Sequence, residues 1–275
     1  MEYESKIKSF KYIDKKGYPE LKGYSAFQIY EDFIGCGGLH LLTKMIRTMN
    51  LKKGDIVLDL GCGMGSSSIY LARHFDITVI AVDYWNSPSV LNEKAKSEAC
   101  SNKIIPLQID ITQETPFAKD YFDAVLCMNS LFMFGESTEV LKNIMGTVKV
   151  GGSICIGSEC FNEEPNFRSI TEVPKVYNFD WQWAVWQNCY SKYHSPGWWY
   201  NLIGSTEMVD IVYCEELDDG RLMFEDFVLN YDIYVSGRIK EIGAVIPKEN
   251  IAEQILYGDE SGLYPTLYVL KAIKR

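Results

Sequence analysis

From residue 51 onward the chain alternates between short runs rich in β-branched residues and longer stretches whose apolar positions recur at helical spacing, the pattern of a parallel α/β sheet. The predicted strands are DIVLDL (55–60), ITVIAVD (77–83), IIPLQID (104–110), YFDAVLCMN (121–129), SICIGSE (153–159), IVYCEEL (211–217) and TLYVLKAIK (266–274). Between them fall SSSIYLARHF (66–75), with Ile69, Leu71 and Ala72 facing inward, a helix from Pro88 to Cys100, and TEVLKNIMGTV (138–148). Ser87 is placed to cap the second of these, with Pro88 at its first position. Gly151-Gly152 is expected to turn the chain into the fifth strand. Further helices are expected in FEDFVLNYDIYVSGRIKEI and PKENIAEQIL, and one, GLHLLTKMIRTM (38–49), ahead of the first strand.

Composition narrows the class. The 275 residues can bury a sizeable core, and with 47% apolar and 23% charged residues they read as an ordinary globular chain. A net charge of −10 argues against nucleic-acid or anionic-membrane partners, which need clustered Lys and Arg. No apolar run approaches the ~18 residues needed to span a bilayer. The opening MEYESKIKSFKYIDKKGY lacks the apolar core of a signal peptide, so a cytoplasmic location is expected. Eight cysteines without a CxxC pair are expected to be reduced and mostly buried. His40, His74 and His194 are scattered, and no metal site is expected.

The most distinctive stretch is VLDLGCGMGSS (57–67), a strand that turns over glycines into a helix. Glycines let a backbone approach a ligand, and the helix start offers unpaired N–H groups. The third glycine comes one residue early for the dinucleotide pattern GxGxxG. Asp83 closes the second strand 22 residues after Gly61, where a carboxylate can accept both hydroxyls of a ribose. Asp110 ends the third strand, where it can accept from an adenine amino group while the Ile111 N–H supports the ring. Asp59 lies in the turn, where it can accept loop N–H groups and face an ammonium. Each acid alone also suits a cap or turn. A nicotinamide-dependent oxidoreductase and a non-catalytic nucleoside-binding module stay open beside any transferase reading.

DLGCGMG, AVDYW, QIDIT, FDAVLCMNSL and the Gly-Gly turn before SICIGSE resemble, in order and spacing, the class I S-adenosylmethionine-dependent methyltransferases over about residues 51–160. FIGCGGLHLLTKMI is similar to the segment preceding the first motif in phosphoethanolamine and related small-molecule methyltransferases. The resemblance implies an α/β, doubly wound, Rossmann-like sheet of seven mostly parallel strands with helical and aromatic cover segments. One domain over 1–275 is expected, because no Gly/Ser/Pro-rich linker divides the chain: an N-terminal cap (1–50), a cofactor-binding half (51–160), an aromatic lid insertion (161–207), and closing strands and helices (208–275). The resemblance also implies S-adenosyl-L-methionine as cofactor and a small-molecule acceptor with an N, O or S nucleophile. The cofactor would meet the loop of Gly61, Cys62, Gly63 and Gly65, with Asp59 in the turn. Asp83 would hold the ribose, Asp110 and Ile111 the adenine, and Tyr84 or Trp85 an adenosine face. Cys36, Gly37 and Gly38 would lie over the methionine end.

Phosphoethanolamine methyltransferases carry an acid and, four residues later, a histidine after the fourth strand, where this chain has Asn129 and Met133. Asn129 is a candidate to contact the cofactor and orient an acceptor through its amide. Glu159, at the end of the fifth predicted strand, is the carboxylate candidate for holding or deprotonating a nucleophile. WQWAVWQNCYSKYHSPGWWYNL (181–202) holds five of the six tryptophans, suiting a lid or a cation-binding aromatic cluster, with Trp181, Trp183 and Trp186 not all on one helical face. Within it His194 is a general-base candidate, since imidazole titrates near neutrality. The acidic run CEELDDGRLMFED (214–226) reads as a solvated turn.

Overall fold

The computed structural model describes residues 16–30, 32–33, 35–113, 115–166, 189, 191–229 and 262–275. A short helix α1 (Ala26–Tyr30) and a longer α2 (Gly38–Ile46) precede strand β1 (Ile56–Leu60), followed by α3 (Ser66–His74), β2 (Thr78–Asp83), α4 (Pro88–Ser97) and β3 (Ile104–Gln108). The second half runs β4 (Phe122–Met128), α5 (Thr138–Gly146), β5 (Val148–Phe161), α6 (Pro196–Gly204), β6 (Val209–Glu216), α7 (Gly220–Leu229) and β7 (Pro265–Lys274).

The seven strands form one sheet in the order β3-β2-β1-β4-β5-β7-β6. The pairs among β1 to β5 are parallel, and β7 runs antiparallel between β5 and β6. From β1 the chain winds outward to β3, then returns to lay β4 on the other side of β1. The crevice beyond the ends of β1 and β4 is therefore the switch point where open α/β sheets bind ligands. Val57, Leu58, Val79, Ala81, Val125 and Leu126 are all buried, because the central strands are covered on both faces. Each large apolar side chain buried this way contributes about 1.5–3 kcal/mol. The inward residues predicted for α3, Ile69, Leu71 and Ala72, are buried, with Tyr70 beside them.

Helix starts follow the expected chemistry except at α2 and α3, each of which starts from a left-handed glycine without a side-chain cap. Ser87, Ser137 and Ser195 cap α4, α5 and α6 through their side chains, Pro88 and Pro196 opening two of these helices. α3 instead starts from Gly65 at φ 82°, with no side-chain cap, so its first N–H groups are not taken by a capping residue.

Some sequence expectations change. β3 ends at Gln108, leaving Asp110 two residues beyond it in the loop. Gly151-Gly152 lies inside β5: the register with β4 jumps from Phe122↔Val148 to Ala124↔Ser153, a bulge where a side chain on Gly152 would meet Lys149 and Asp123 carbonyls at 2.8 and 2.9 Å. The acidic run is not a solvated turn. Cys214 to Glu216 belong to β6, α7 starts at Gly220, and Glu225 and Asp226 are buried on that helix where it packs on β7. Asp219 meanwhile accepts from Tyr18 Oη at 3.0 Å and Lys44 Nζ at 2.6 Å. Trp181, Trp183 and Trp186, the predicted helix PKENIAEQIL and the end of FEDFVLNYDIYVSGRIKEI lie outside the described residues. Among the described residues no helix is long and apolar enough to cross a membrane.

Candidate functional site

The loop after β1 is built around positions that exclude side chains. Gly61 sits at φ 71°, and a Cβ there would fall 2.3 Å from Ser130 Oγ. At Gly65, φ 82°, a Cβ would strike Leu91 at 2.1 Å. Gly61 and Cys62 both donate their N–H to the Val82 carbonyl, at 2.8 and 3.0 Å, and Ser130 Oγ donates to the Leu60 carbonyl at 3.0 Å. The ends of β1, β2 and β4 are thus tied together at the crevice.

Asp83 is the centre of this arrangement. One carboxylate oxygen accepts from the Gly63 N–H at 2.9 Å, and the other from the Trp85 and Asn86 N–H groups and Asn86 Nδ2 at 2.8–2.9 Å. Asp59 lies beneath the loop, 1% exposed, accepting from the hydroxyls of Ser67 and Ser68 at the start of α3. Burial pushes its carboxyl up to about 6 against the pull of those two hydroxyls, and the Asp83 charge adds to the rise. Its Oδ1 has no hydrogen-bond partner.

Two adjoining cavities open over this frame. The first, about 290 Å³, is largely apolar, walled by Val82, Tyr84, Ile109, Asp110, Ile111 and Phe134. The second, about 270 Å³, is walled by Asp32, Phe33, Gly35, Cys62, Gly63, Ser67, Asn86, Met128 and Asn129. Gly61, Asp83, Trp85, Ser130 and Met133 line both, so Asp83 stands where they meet. At the far side of the first, Asp110 accepts from the Thr112 hydroxyl at 2.6 Å and its N–H at 3.0 Å, bonds that hold its carboxyl below the usual range. Tyr84 and Trp85 are 57% and 68% exposed, with ring centroids 5.9 Å apart, leaving aromatic surface open at the rim.

In the second cavity Asn129 holds a left-handed φ of 51°. Its Nδ2 donates to the Cys36 carbonyl at 2.8 Å, its N–H to the Gly157 carbonyl at 2.8 Å, and its Oδ1 is buried without a partner. Asp32, also left-handed at φ 62°, accepts from Lys94 Nζ at 2.7 Å, and the same ammonium reaches Ser66 Oγ at 3.0 Å.

The structure brings Gly61, Cys62, Gly63, Asp83, Tyr84, Trp85, Asp110, Ile111 and Asn129 into the cavity walls, and leaves other predicted residues outside them. Asp59 and Gly65 shape the loop from behind. Gly38 lies against the Ile29 carbonyl and the Tyr30 ring, so its missing side chain serves helix packing, and Gly35 forms the wall instead. Glu159 does not end its strand, which continues to Phe161. It is 3% exposed, and its oxygens accept from the Cys36 N–H and the Ser158 hydroxyl, both at 3.0 Å. His194 is buried, with Nδ1 2.7 Å from Glu164, Nε2 3.3 Å from Glu136, and its ring stacked on Trp198 at 3.5 Å. Both ring nitrogens face carboxylates, which leaves neither turned to the cavities. Asp32 and Phe33 were not legible as site residues, because only the folding of the N-terminal segment onto α3 and α4 brings them there.

Residues 58–156 match a family model described as a methyltransferase domain. Phosphoethanolamine N-methyltransferase 1 of Arabidopsis thaliana is 25% identical over 151 residues, covering 54% of this chain and 30% of that protein. The chain thus spans less than a third of the length of this relative. Among solved structures, the [4+2]-cyclase SpnF superposes with a TM-score of 0.65 at 16% identity, covering 89% of this chain and 85% of its own. Geranyl diphosphate methyltransferase in complex with S-adenosylmethionine follows at 0.62 and 15% identity, covering 86% of each chain. At such identities these structural likenesses show the fold alone.

Proposed function

We propose, from the premise that residues 58–156 are a methyltransferase domain on a Rossmann-like class I sheet, that the chain transfers a methyl group from S-adenosylmethionine to a small-molecule acceptor. The observation that carries this reading is Asp83, set by four donors at the junction of two cavities. A carboxylate there suits a ribose whose base and amino-acid arm extend to opposite sides. The residues present fit such a nucleoside. The first cavity is largely apolar, with Asp110 and Ile111 in its wall for an adenine edge, and Tyr84 or Trp85 for its face. The loop from Gly61 to Gly63 admits close approach because a side chain at Gly61 has no room.

When bound, the cofactor supplies a sulfonium methyl group open to in-line displacement by a nucleophile. The chain's own part is alignment and exclusion of water. Phe33, Met128 and Met133 give the second cavity an apolar lining, and Asp32 keeps its charge paired with Lys94. Glu159 and His194 are not assigned as bases, since their polar atoms are engaged away from the cavities. A small acceptor is favoured by the net charge of −10, which opposes a nucleic-acid substrate. The same reading takes the chain as one domain, since β7 enters the sheet between β5 and β6, and as cytoplasmic, since all eight cysteines are free. A single unfolding transition and cell fractionation check these two points.

Methyl-labelled cofactor, incubated with the protein and a cell-derived mixture of metabolites, should yield a labelled small molecule that is absent with Gly63→Arg. Cofactor binding without label in any acceptor would make the chain a binding module and sink the transfer reading. Reduction of a nicotinamide would point to the oxidoreductase alternative.

A further inference from the structure

We propose that Glu159 and Asn129 are positioning residues that clamp the backbone of one buried residue, Cys36, and thereby fix the N-terminal wall of the second cavity. This role rests on the cofactor reading of that cavity. Cys36 is fully buried in the turn before α2, where neither its N–H nor its carbonyl belongs to a helix or strand ladder. Buried backbone groups of this kind need partners. Glu159 of β5, 123 residues away, accepts from the N–H at 3.0 Å, and Asn129, 93 residues away, donates to the carbonyl at 2.8 Å. Both backbone polar groups of one residue are therefore taken by side chains, one from within β5 and one from just beyond β4.

The residue types follow from these bonds. At position 129 the side chain must donate to a carbonyl, so an aspartate would turn an acceptor toward an acceptor. Asn129 is also held at φ 51°, a left-handed conformation uncommon for residues other than glycine. Gly35 packs so closely against it that a Cβ on Gly35 would fall 2.3 Å from the Asn129 Cβ, and both residues line the second cavity. At position 159 the side chain must accept. Burial pushes the Glu159 carboxyl up, while the Cys36 N–H and the Ser158 hydroxyl draw it down. The clamp thus sets Gly35 on one side of Cys36 and the start of α2 at Gly38 on the other.

The test combines a ligand-free readout with a binding readout. Backbone amide exchange at Cys36 should be slow in the wild type and accelerated in Glu159→Leu, while Glu159→Gln, which keeps an accepting oxygen, should restore protection. Asn129→Gly suits the left-handed backbone and so should remain folded. It should bind S-adenosylhomocysteine about tenfold more weakly than wild type, the order expected for losing one buried hydrogen bond and the order in the wall it sets. Glu159→Gln should bind within about twofold of wild type, which separates an accepted hydrogen bond from a need for charge. The clamp is overturned if folded Asn129→Gly binds as tightly as wild type, or if Glu159→Gln loses as much affinity as Glu159→Leu. If Glu159→Leu does not fold, the Asn129→Gly and Glu159→Gln results decide. A wild type that protects Cys36 yet binds no S-adenosylhomocysteine would overturn the cofactor reading and leave the clamp a feature of the fold alone.

Discussion

Asp59 makes the stability of this fold depend on pH in a way that can be worked out in advance. Its carboxyl is pushed from 3.8 up to about 6, first by burial, against the Ser67 and Ser68 hydrogen bonds and with the Asp83 charge adding to the rise. At about 1.4 kcal/mol per pH unit, that displacement corresponds to roughly 3 kcal/mol. Because the folded value is raised, the protonated group is favoured in the native state. Its contribution is fully present below about pH 3.8 and is lost as pH rises through about 6. Asp59→Asn removes this titration but keeps an oxygen to accept from Ser67 and Ser68. Unfolding free energies of both proteins should be measured by urea denaturation from pH 4 to pH 8. The constant cost of the substitution, including the partnerless amide at the Oδ1 position, cancels in the pH dependence of their difference. Between those limits the wild type should lose about 2–3 kcal/mol relative to Asp59→Asn, most of it between pH 4 and 6. A difference that does not change with pH would refute the assignment of a buried, ionising carboxylate beneath the loop.

Three further outcomes follow. Gly61→Ala should destabilise by about 1–3 kcal/mol in the same assay, from the collision with Ser130 and the left-handed backbone. Ser130→Gly, not Ser130→Ala, should recover part of it, since the Ser130 Cβ itself would lie 2.4 Å from the added atom. At Glu164 burial pushes the carboxyl up, but bonds from His194 and Ser195 outweigh it and hold the group below its ordinary 4.5. Its stabilisation is therefore present above that pH and lost as pH falls through the lower folded value. Glu164→Gln should flatten this part of the acid limb and speed proteolytic cleavage near His194. Thiol titration should find eight reactive cysteines in denaturant and few in the native protein, with Cys62, Cys189 and Cys214 ahead of the five buried ones. A stoichiometry below eight in denaturant without reductant would reveal a disulfide and contradict the reduced state.

The sheet was legible wherever burial on both faces wrote a continuous apolar run, as in β1, β2 and β4. β5 was not read in full, because Gly151-Gly152 signals a turn whether the chain reverses or bulges. The start of α7 was hidden in a run of acids, and only tertiary packing puts Glu225 and Asp226 inside. The wall of the first cavity was legible because Gly61, Asp83, Tyr84, Trp85 and Asp110 sit at or just beyond strand ends, where sequence position and spatial position coincide. The N-terminal wall of the second cavity was not. Asp32, Phe33 and Gly35 reach the cavity through contacts 60 to 100 residues distant along the chain, for which Asp32 to Lys94 and Asn129 to Cys36 are examples. Glu159 and His194 drew notice as isolated groups with useful chemistry, and the fold spends that chemistry on Cys36, Ser158, Glu136 and Glu164.

The central claim is that the groove divided by Asp83 holds the S-adenosyl nucleoside. Calorimetric titration of the intact chain with S-adenosylhomocysteine, run beside NADH, tests it most directly. The account predicts saturable one-to-one binding of S-adenosylhomocysteine, lost in Gly63→Arg, and no heat from NADH. No binding of S-adenosylhomocysteine at millimolar concentration, or saturable binding of NADH in its place, would contradict it.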